Sequence, residues 1–315
     1  MGKDQKLTKQ QQHRVEIKQS LASEHEKALV LARFSRHAEI LTESGEVLHC
    51  NLRRHVDVLT GDKVSFLRDA HGKPVIDSVL PRTSVFLQTL ATGKKKAVAA
   101  NVDALFLVIG DPPGFLEEHI DRTLVAAEMM KIQVIIVLNK IDLYPKEKLS
   151  LMNEKLKVYE QLTYPVMRVS AKTEEGLDTL NEYLKNRSSI FAGQSGVGKS
   201  SLVNVLHPKA LCKIGGLSEK KQGKHTTTAT MVFQLGCGGK LMDTPGRYDL
   251  AVLPDTIAEL SACFVEFHSL VSHCKFRNCT HRSEPECAVR EASESSKITL
   301  RRYEMYLRLC EEMGV

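Results

Sequence analysis

Residues 28–90 carry short apolar runs separated by polar turns: Ala28 to Phe34, Ala38 to Leu41, Val47 to Leu52, Lys63 to Leu67 and Val75 to Leu80. Turn signals at Glu43-Ser44-Gly45, Thr60-Gly61-Asp62 and His71-Gly72-Lys73-Pro74 punctuate them. This rhythm predicts a small antiparallel β-barrel, of the OB-fold or SH3-like kind. From Asn101 the rhythm changes. A continuous apolar run over Asp103 to Ile109, a helical pattern over Leu116 to Met130 and a second buried run over Val134 to Leu138 predict an α/β domain whose parallel sheet is covered on both faces. Further strands are expected at Val166 to Val169 and Ser189 to Ala192, and a hairpin at Met231 to Leu235 and Lys240 to Met242. Helical patterns follow at Thr256 to Phe267 and Ile298 to Glu312. The last should dock through Leu300, Tyr303 and Leu307, with Arg301, Arg302 and Arg308 around that stripe.

Polar stretches complete the division. The expected organisation is a basic, flexible N-terminal tail (1–33), an OB-fold-like barrel (34–97), an α/β nucleotide domain (98–252) and a mostly helical module (253–315). Thr92-Gly93-Lys94-Lys95-Lys96 reads as an exposed basic linker, and residues 212–230 are too polar for a core.

Composition narrows the classes. At 315 residues the chain is long enough for two or three domains, and 42% apolar residues can fill their cores. No apolar run approaches a membrane span and the Gln-rich start lacks a secretory core, so a soluble, cytoplasmic protein without a membrane partner is expected. The net charge of +6 permits a polyanionic partner, while the absence of Trp and only 5% aromatics argue against a surface built on stacking bases. Five of the 8 cysteines are scattered, which does not suggest a disulfide framework.

Chemistry concentrates at Gly193-Gln194-Ser195-Gly196-Val197-Gly198-Lys199-Ser200-Ser201, between an apolar run and a helical one. This is the P-loop pattern: glycines let the backbone turn its N–H groups toward a polyphosphate, Lys199 reaches the β- and γ-phosphates, and Ser200 offers a hydroxyl to Mg²⁺. Asn139-Lys140-Ile141-Asp142 follows a buried strand, where ligands of open α/β sheets sit. The Asp142 carboxylate can accept both N–H groups on the edge of guanine, a pair that adenine lacks. Asn139 braces the loop or the base, and the stem of Lys140 lies along the ring. Ser170-Ala171-Lys172 ends the next strand, with the Ala171 N–H placed for the guanine carbonyl. Near the C-terminus, Cys274-x4-Cys279-x-His281-x5-Cys287 has the donors of a closed, structural Cys3His zinc site for one ion.

The set of NKID, SAK, GQSGVGKS and Asp243-Thr244-Pro245-Gly246 resembles the signature of translation-factor-type GTPases, with the base-reading motifs placed ahead of the phosphate-reading ones. With a barrel in front and a Cys/His cluster behind, nearly the whole chain is similar to the RsgA (YjeQ/YloQ) family of circularly permuted GTPases. That resemblance implies slow hydrolysis of GTP to GDP with Mg²⁺, quickened on the small ribosomal subunit, whose late maturation the family assists through contacts with rRNA. It implies that Asp243 holds Mg²⁺ through water, that the Gly246 N–H meets the γ-phosphate, and that Thr226 or Thr227 contacts both Mg²⁺ and the γ-phosphate. Arg247 stands where small GTPases carry a water-orienting glutamine, and the resemblance gives that role to His225. The alternative is a GTP-gated RNA-binding adaptor in which hydrolysis is incidental. A monomer is expected.

Overall fold

The structure, a computed structural model, describes residues 25–90, 92–111, 114–206, 230–243 and 252–314. The predicted tail therefore lies mostly outside the described residues, as do His225, Thr226, Thr227 and Gly246. The chain divides into two compact units, residues 1–82 and 83–315.

In the first unit, β1 (Glu26–Arg33), β2 (His37–Thr42), β3 (Val47–Leu52), β4 (Lys63–Arg68) and β5 (Pro74–Val79) close on themselves in the order β1-β2-β3-β5-β4, with β4 pairing back onto β1. The β3–β5 contact is parallel and the other pairs are antiparallel, which is the OB-type arrangement and removes every free edge. Alternation along the strands puts Val30, Ile40, Val64, Phe66 and Ile76 inside. The first strand begins at Glu26, inside the stretch that sequence assigned to the tail, because the pairing of Lys27 with Ser65 extends the ladder beyond the apolar run. Asp62, fully buried, accepts from the Leu59 N–H at 2.6 Å and from Arg82 Nε and Nη2 at 2.7 and 2.8 Å.

The second unit opens with a hairpin, β6 (Val85–Thr89) and β7 (Lys95–Ala100), where sequence suggested a barrel end and a linker. Phe86, Ala99 and Ala100 are buried, and the Leu87 N–H contacts Met130 Sδ at 3.1 Å, so the lysines sit at the exposed start of a strand whose end is packed. A sheet follows in the order β10-β9-β8-β11-β13-β12, built from β8 (Ala104–Ile109), β9 (Gln133–Leu138), β10 (Val166–Arg168), β11 (Ser188–Ala192), β12 (Met231–Gln234) and β13 (Lys240–Asp243). Its pairings are parallel except β12–β13. Helices α1 (Glu117–Met130), α2 (Lys146–Gln161), α3 (Leu177–Leu184) and α4 (Lys199–Leu206) connect or follow these strands. β8 and β9 are buried throughout apart from Gln133, as a doubly covered sheet requires.

The C-terminal region holds α5 (Ile257–Ala262), α6 (Ala288–Glu294) and α7 (Leu300–Glu312). The helix expected over 256–267 stops at Ala262 and resumes as a 3-10 turn over Val265–Phe267, which turns Phe264 and Phe267 into a shared core with Tyr306. The docking face of α7 also differs from expectation. Leu300 is 58% exposed, while Arg302, Tyr303, Met305, Tyr306, Leu309 and Cys310 are buried. Arg302 lies fully inside, its Nε 2.7 Å from Glu266 and its Nη1 2.9 Å from Asp121 of α1. Arg301 also pairs with Asp121, and Arg308 with Glu118 at 2.9 Å. These arginines are engaged in intramolecular ion pairs that clamp α7 to α1. Among the described residues, no helix is long and apolar enough to cross a membrane.

Candidate functional site

The sheet reverses its winding between β8 and β11, since β9 and β10 add on one side and β13 and β12 on the other. Ligands of open α/β sheets bind outside the carboxyl ends of strands at such a point. β11 delivers the P-loop there, and the parallel pairings bring the ends of β8, β9, β10 and β13 to the same edge.

The loop from Gly193 to Gly198 is left-handed at Gly193 (φ 135°), Gly196 (φ 85°) and Gly198 (φ 95°). A Cβ at Gly193 would stand 2.0 Å from the Val108 carbonyl oxygen, and one at Gly198 would stand 2.3 Å from Asn139 Nδ2. Glycine is required at both by backbone conformation and by close approach. Lys199 Nζ donates to the Gly193 and Gln194 carbonyls at 2.7 and 2.8 Å, and burial lowers its pKa below the ordinary lysine value. A polyphosphate would add negative charge beside this half-buried ammonium. Ser195, Gly196, Ser200 and Ser201 are exposed, whereas Val197 is buried as a packing residue.

Asn139 is the hub of the NKID side. It is 1% exposed, its Nδ2 donates to the Val197 carbonyl at 2.9 Å, and its Oδ1 accepts from the Ala171 N–H at 3.3 Å. One side chain thus joins the NKID, P-loop and SAK segments. Lys140 takes the left-handed conformation (φ 65°), and its Nζ donates to the Gly196 carbonyl at 2.5 Å. Asp142 is exposed, with Oδ1 held by the Ser170 hydroxyl at 2.6 Å. The same hydroxyl accepts from the Lys172 and Thr173 N–H groups at 3.2 and 3.0 Å, which fixes the SAK turn. Asp243, exposed, closes β13 beside the P-loop strand.

Sequence reasoning missed Tyr144. Its hydroxyl donates to the Asn139 carbonyl at 2.9 Å and accepts from the Asp111 N–H at 2.7 Å. A tyrosine two residues after the aspartate carries no motif signal.

Cys274, Cys279, His281 and Cys287 converge, with ligand atoms all within 4.8 Å of one another. His281 Nδ1 lies 3.6 Å from Cys274 Sγ and 3.5 Å from Cys287 Sγ. Tetrahedral zinc with ordinary Zn–S and Zn–N bonds sets sulfur and nitrogen about 3.5–3.6 Å apart, so the donors fit such an ion. The α7 tyrosines hold the ligand loop, Tyr303 donating to the His281 carbonyl at 2.8 Å and Tyr306 to the Thr280 carbonyl at 2.7 Å. Burial pushes the Cys279 thiol up to about 12, so forming its thiolate depends on a cation's charge. Among the basic residues around the cluster, Lys275 pairs with Glu286, and Arg290 lies 3.6 Å from Glu294.

A P-loop at the switch point, joined through Asn139 to NKID and SAK segments that precede it in the chain, defines a circularly permuted P-loop GTPase with an OB-like barrel and a C-terminal Cys/His cluster. The sequence profile of the RsgA GTPase family matches residues 79–252. The chain belongs to the RsgA GTPase family. It is 39% identical over 302 residues to the small ribosomal subunit biogenesis GTPase RsgA of Shewanella oneidensis, covering 93% of this chain and 85% of that one. Among solved structures it is similar to YjeQ from Thermotoga maritima, with 34% identity, a TM-score of 0.77 and coverage of 92% and 99% of the two chains. It is also similar to YloQ, described as a circularly permuted GTPase, with 27% identity, a TM-score of 0.74 and coverage of 93% and 96%.

Proposed function

We propose that this protein hydrolyses GTP to GDP and phosphate with Mg²⁺, slowly alone and faster on the small ribosomal subunit, and so assists that subunit's late maturation. The observation that carries this reading is the Asn139 junction, which ties the P-loop to Ala171 and sets Asp142 at the same edge. Asp142 reads the guanine edge and Ala171 its carbonyl. The P-loop amides cradle the phosphates, while Lys199 and Mg²⁺, held by Ser200 and through water by Asp243, neutralise charge as water attacks the γ-phosphate. Thr226 or Thr227 completes the Mg²⁺ site and His225 orients the water, with Gly246 reporting the γ-phosphate. The Cys3His cluster carries one structural zinc. The barrel and the zinc module supply rRNA contacts, and the protein acts as a monomer. The small-subunit biogenesis role of the Shewanella oneidensis relative supports this partner.

Steady-state hydrolysis of GTP and ATP, alone and with added small or large subunits, tests the reading. Stimulation confined to GTP and small subunits is expected. Tight GTP-dependent subunit binding without stimulated turnover would replace it with the gated-adaptor reading, which Arg247 in the glutamine position favours.

A further inference from the structure

The loop that carries Asp142 is held on one side by Ser170 and by the Ile141 N–H donating to the Val169 carbonyl at 3.3 Å, and at its base by a tyrosine hydroxyl. Lys140, Ile141 and Asp142 project from a short segment whose middle is a 3-10 turn over Ile141–Leu143, with the Leu143 N–H donating to the Lys140 carbonyl at 2.9 Å. Tyr144 returns across this turn, and its Oη donates to the carbonyl of Asn139, the residue before the turn, at 2.9 Å. The oxygen's acceptor capacity is used as well. The Asp111 N–H, in the loop after β8, donates to it at 2.7 Å.

Neighbouring groups hold the same arrangement. A Cβ at Gly110 would stand 3.1 Å from Tyr144 Oη and 3.3 Å from the Asn139 carbonyl oxygen, so the bare glycine leaves room for the junction. Lys148 pairs with the Asp111 carboxylate and places its ammonium 5.9 Å from the centre of the Tyr144 ring. The loop after β8 also continues to the P-loop, since Gly114, Leu116 and His119 share a narrow crevice with Gln194 and Val197.

We propose that Tyr144 is a positioning residue for guanine selection, its hydroxyl fixing the Asp142 loop and latching it to the loop after β8. The inference rests on the guanine-nucleotide reading above and adds a determinant outside the four motifs. Asp142 can discriminate between bases only while its carboxylate is aimed, and a loop anchored at both ends aims it without ordering cost on binding. Because the Asn139 side chain holds Val197 and Ala171, a tilt of residue 139 would also reach the phosphate side. The hydroxyl's donor role is secure at neutral pH. Burial first, and then the Asp142 charge, push it up to about 12.

Tyr144→Phe keeps the ring and removes only the oxygen. The probes are fluorescent methylanthraniloyl-GDP and its inosine counterpart, which lacks the exocyclic amine that Asp142 would accept from. In stopped flow, the variant should release the GDP probe about tenfold faster than wild type, as expected for the loss of two neutral hydrogen bonds. The preference in dissociation rate for the guanine over the inosine probe should shrink several-fold, with the thermal midpoint within a few degrees of wild type. Lys148→Ala, which leaves the hydroxyl in place, should change the rate by less than about twofold. Wild-type protein that fails to retain the GDP probe would overturn the nucleotide reading and this inference together. Wild-type retention with an unchanged guanine preference in Tyr144→Phe would overturn the inference alone, whatever happens to the midpoint. So would a Lys148→Ala variant that reproduces the loss.

Discussion

Replacing Arg302 with alanine removes the one cation that, among the described residues, bridges Glu266 and Asp121 at the junction of α7 with α1. The side chain is 0% exposed, its guanidinium makes charge-assisted bonds of 2.7, 2.9 and 3.0 Å, and its centre lies 4.7 Å from the Phe264 ring. Burial alone would lower its pKa, but the Glu266 and Asp121 carboxylates outweigh burial and hold it above the ordinary arginine range. Truncation strands the Glu266 carboxylate in the interior and leaves Asp121 with only Arg301 and Tyr159 of its three side-chain partners, a loss of about 3–5 kcal/mol, and at about 2–4 °C per kcal/mol for a unit of this size the midpoint should fall by about 6–20 °C. Differential scanning calorimetry on the zinc-loaded protein measures this directly. Replacing the group together as Arg302→Met, Glu266→Gln and Asp121→Asn should recover at least half of the loss, because the stranded charges go with their partner. A midpoint within about 2 °C of wild type for Arg302→Ala would refute the reasoning, as would a triple variant less stable than the single one.

Gly193→Ala should abolish nucleotide binding and destabilise the second unit by about 2–4 kcal/mol, since the methyl meets the Val108 carbonyl oxygen at 2.0 Å and the backbone is left-handed; nucleotide titration and urea melts check both effects. Elemental analysis should find one zinc per chain, and Cys287→Ser or strong chelation should release it and loosen the Tyr303 and Tyr306 contacts, read as faster amide exchange over residues 274–287. In the barrel, Asp62→Ala leaves the Leu59 N–H and the Arg82 guanidinium without their carboxylate and should cost about 3 kcal/mol, measured by denaturant unfolding.

The elements most legible in the sequence are those whose chemistry is local. GQSGVGKS announces its loop because consecutive residues must turn their amides inward, and the Cys/His spacing announces its cluster because donors a few residues apart can meet round one ion. Strand runs were visible, but the parallel β3–β5 pairing and the β4–β1 closure were not, since no single segment encodes which edge it will find. Lys94-Lys95-Lys96 reads as a linker because its charge hides the strand that follows, which is packed only at its far end, Ala99 and Ala100. The buried arginine was the largest miss. Arg302 and Asp121 are 181 residues apart, and a charged residue on a terminal helix reads as surface until its partners are known. Tyr144 escaped for a related reason, its role resting on two main-chain groups brought to it by neighbouring strands.

In the proposed function, segments joined in permuted order form one guanine-reading pocket. Calorimetric titration of wild type and Asp142→Asn with GDP and with xanthosine diphosphate tests it most directly. Xanthine presents a carbonyl where guanine has its amine, so an asparagine can accept from N1–H and donate to that carbonyl. At least about a 100-fold loss of GDP affinity is expected in Asp142→Asn, with a gain for the xanthosine nucleotide. Unchanged affinity of the variant for both nucleotides would contradict it.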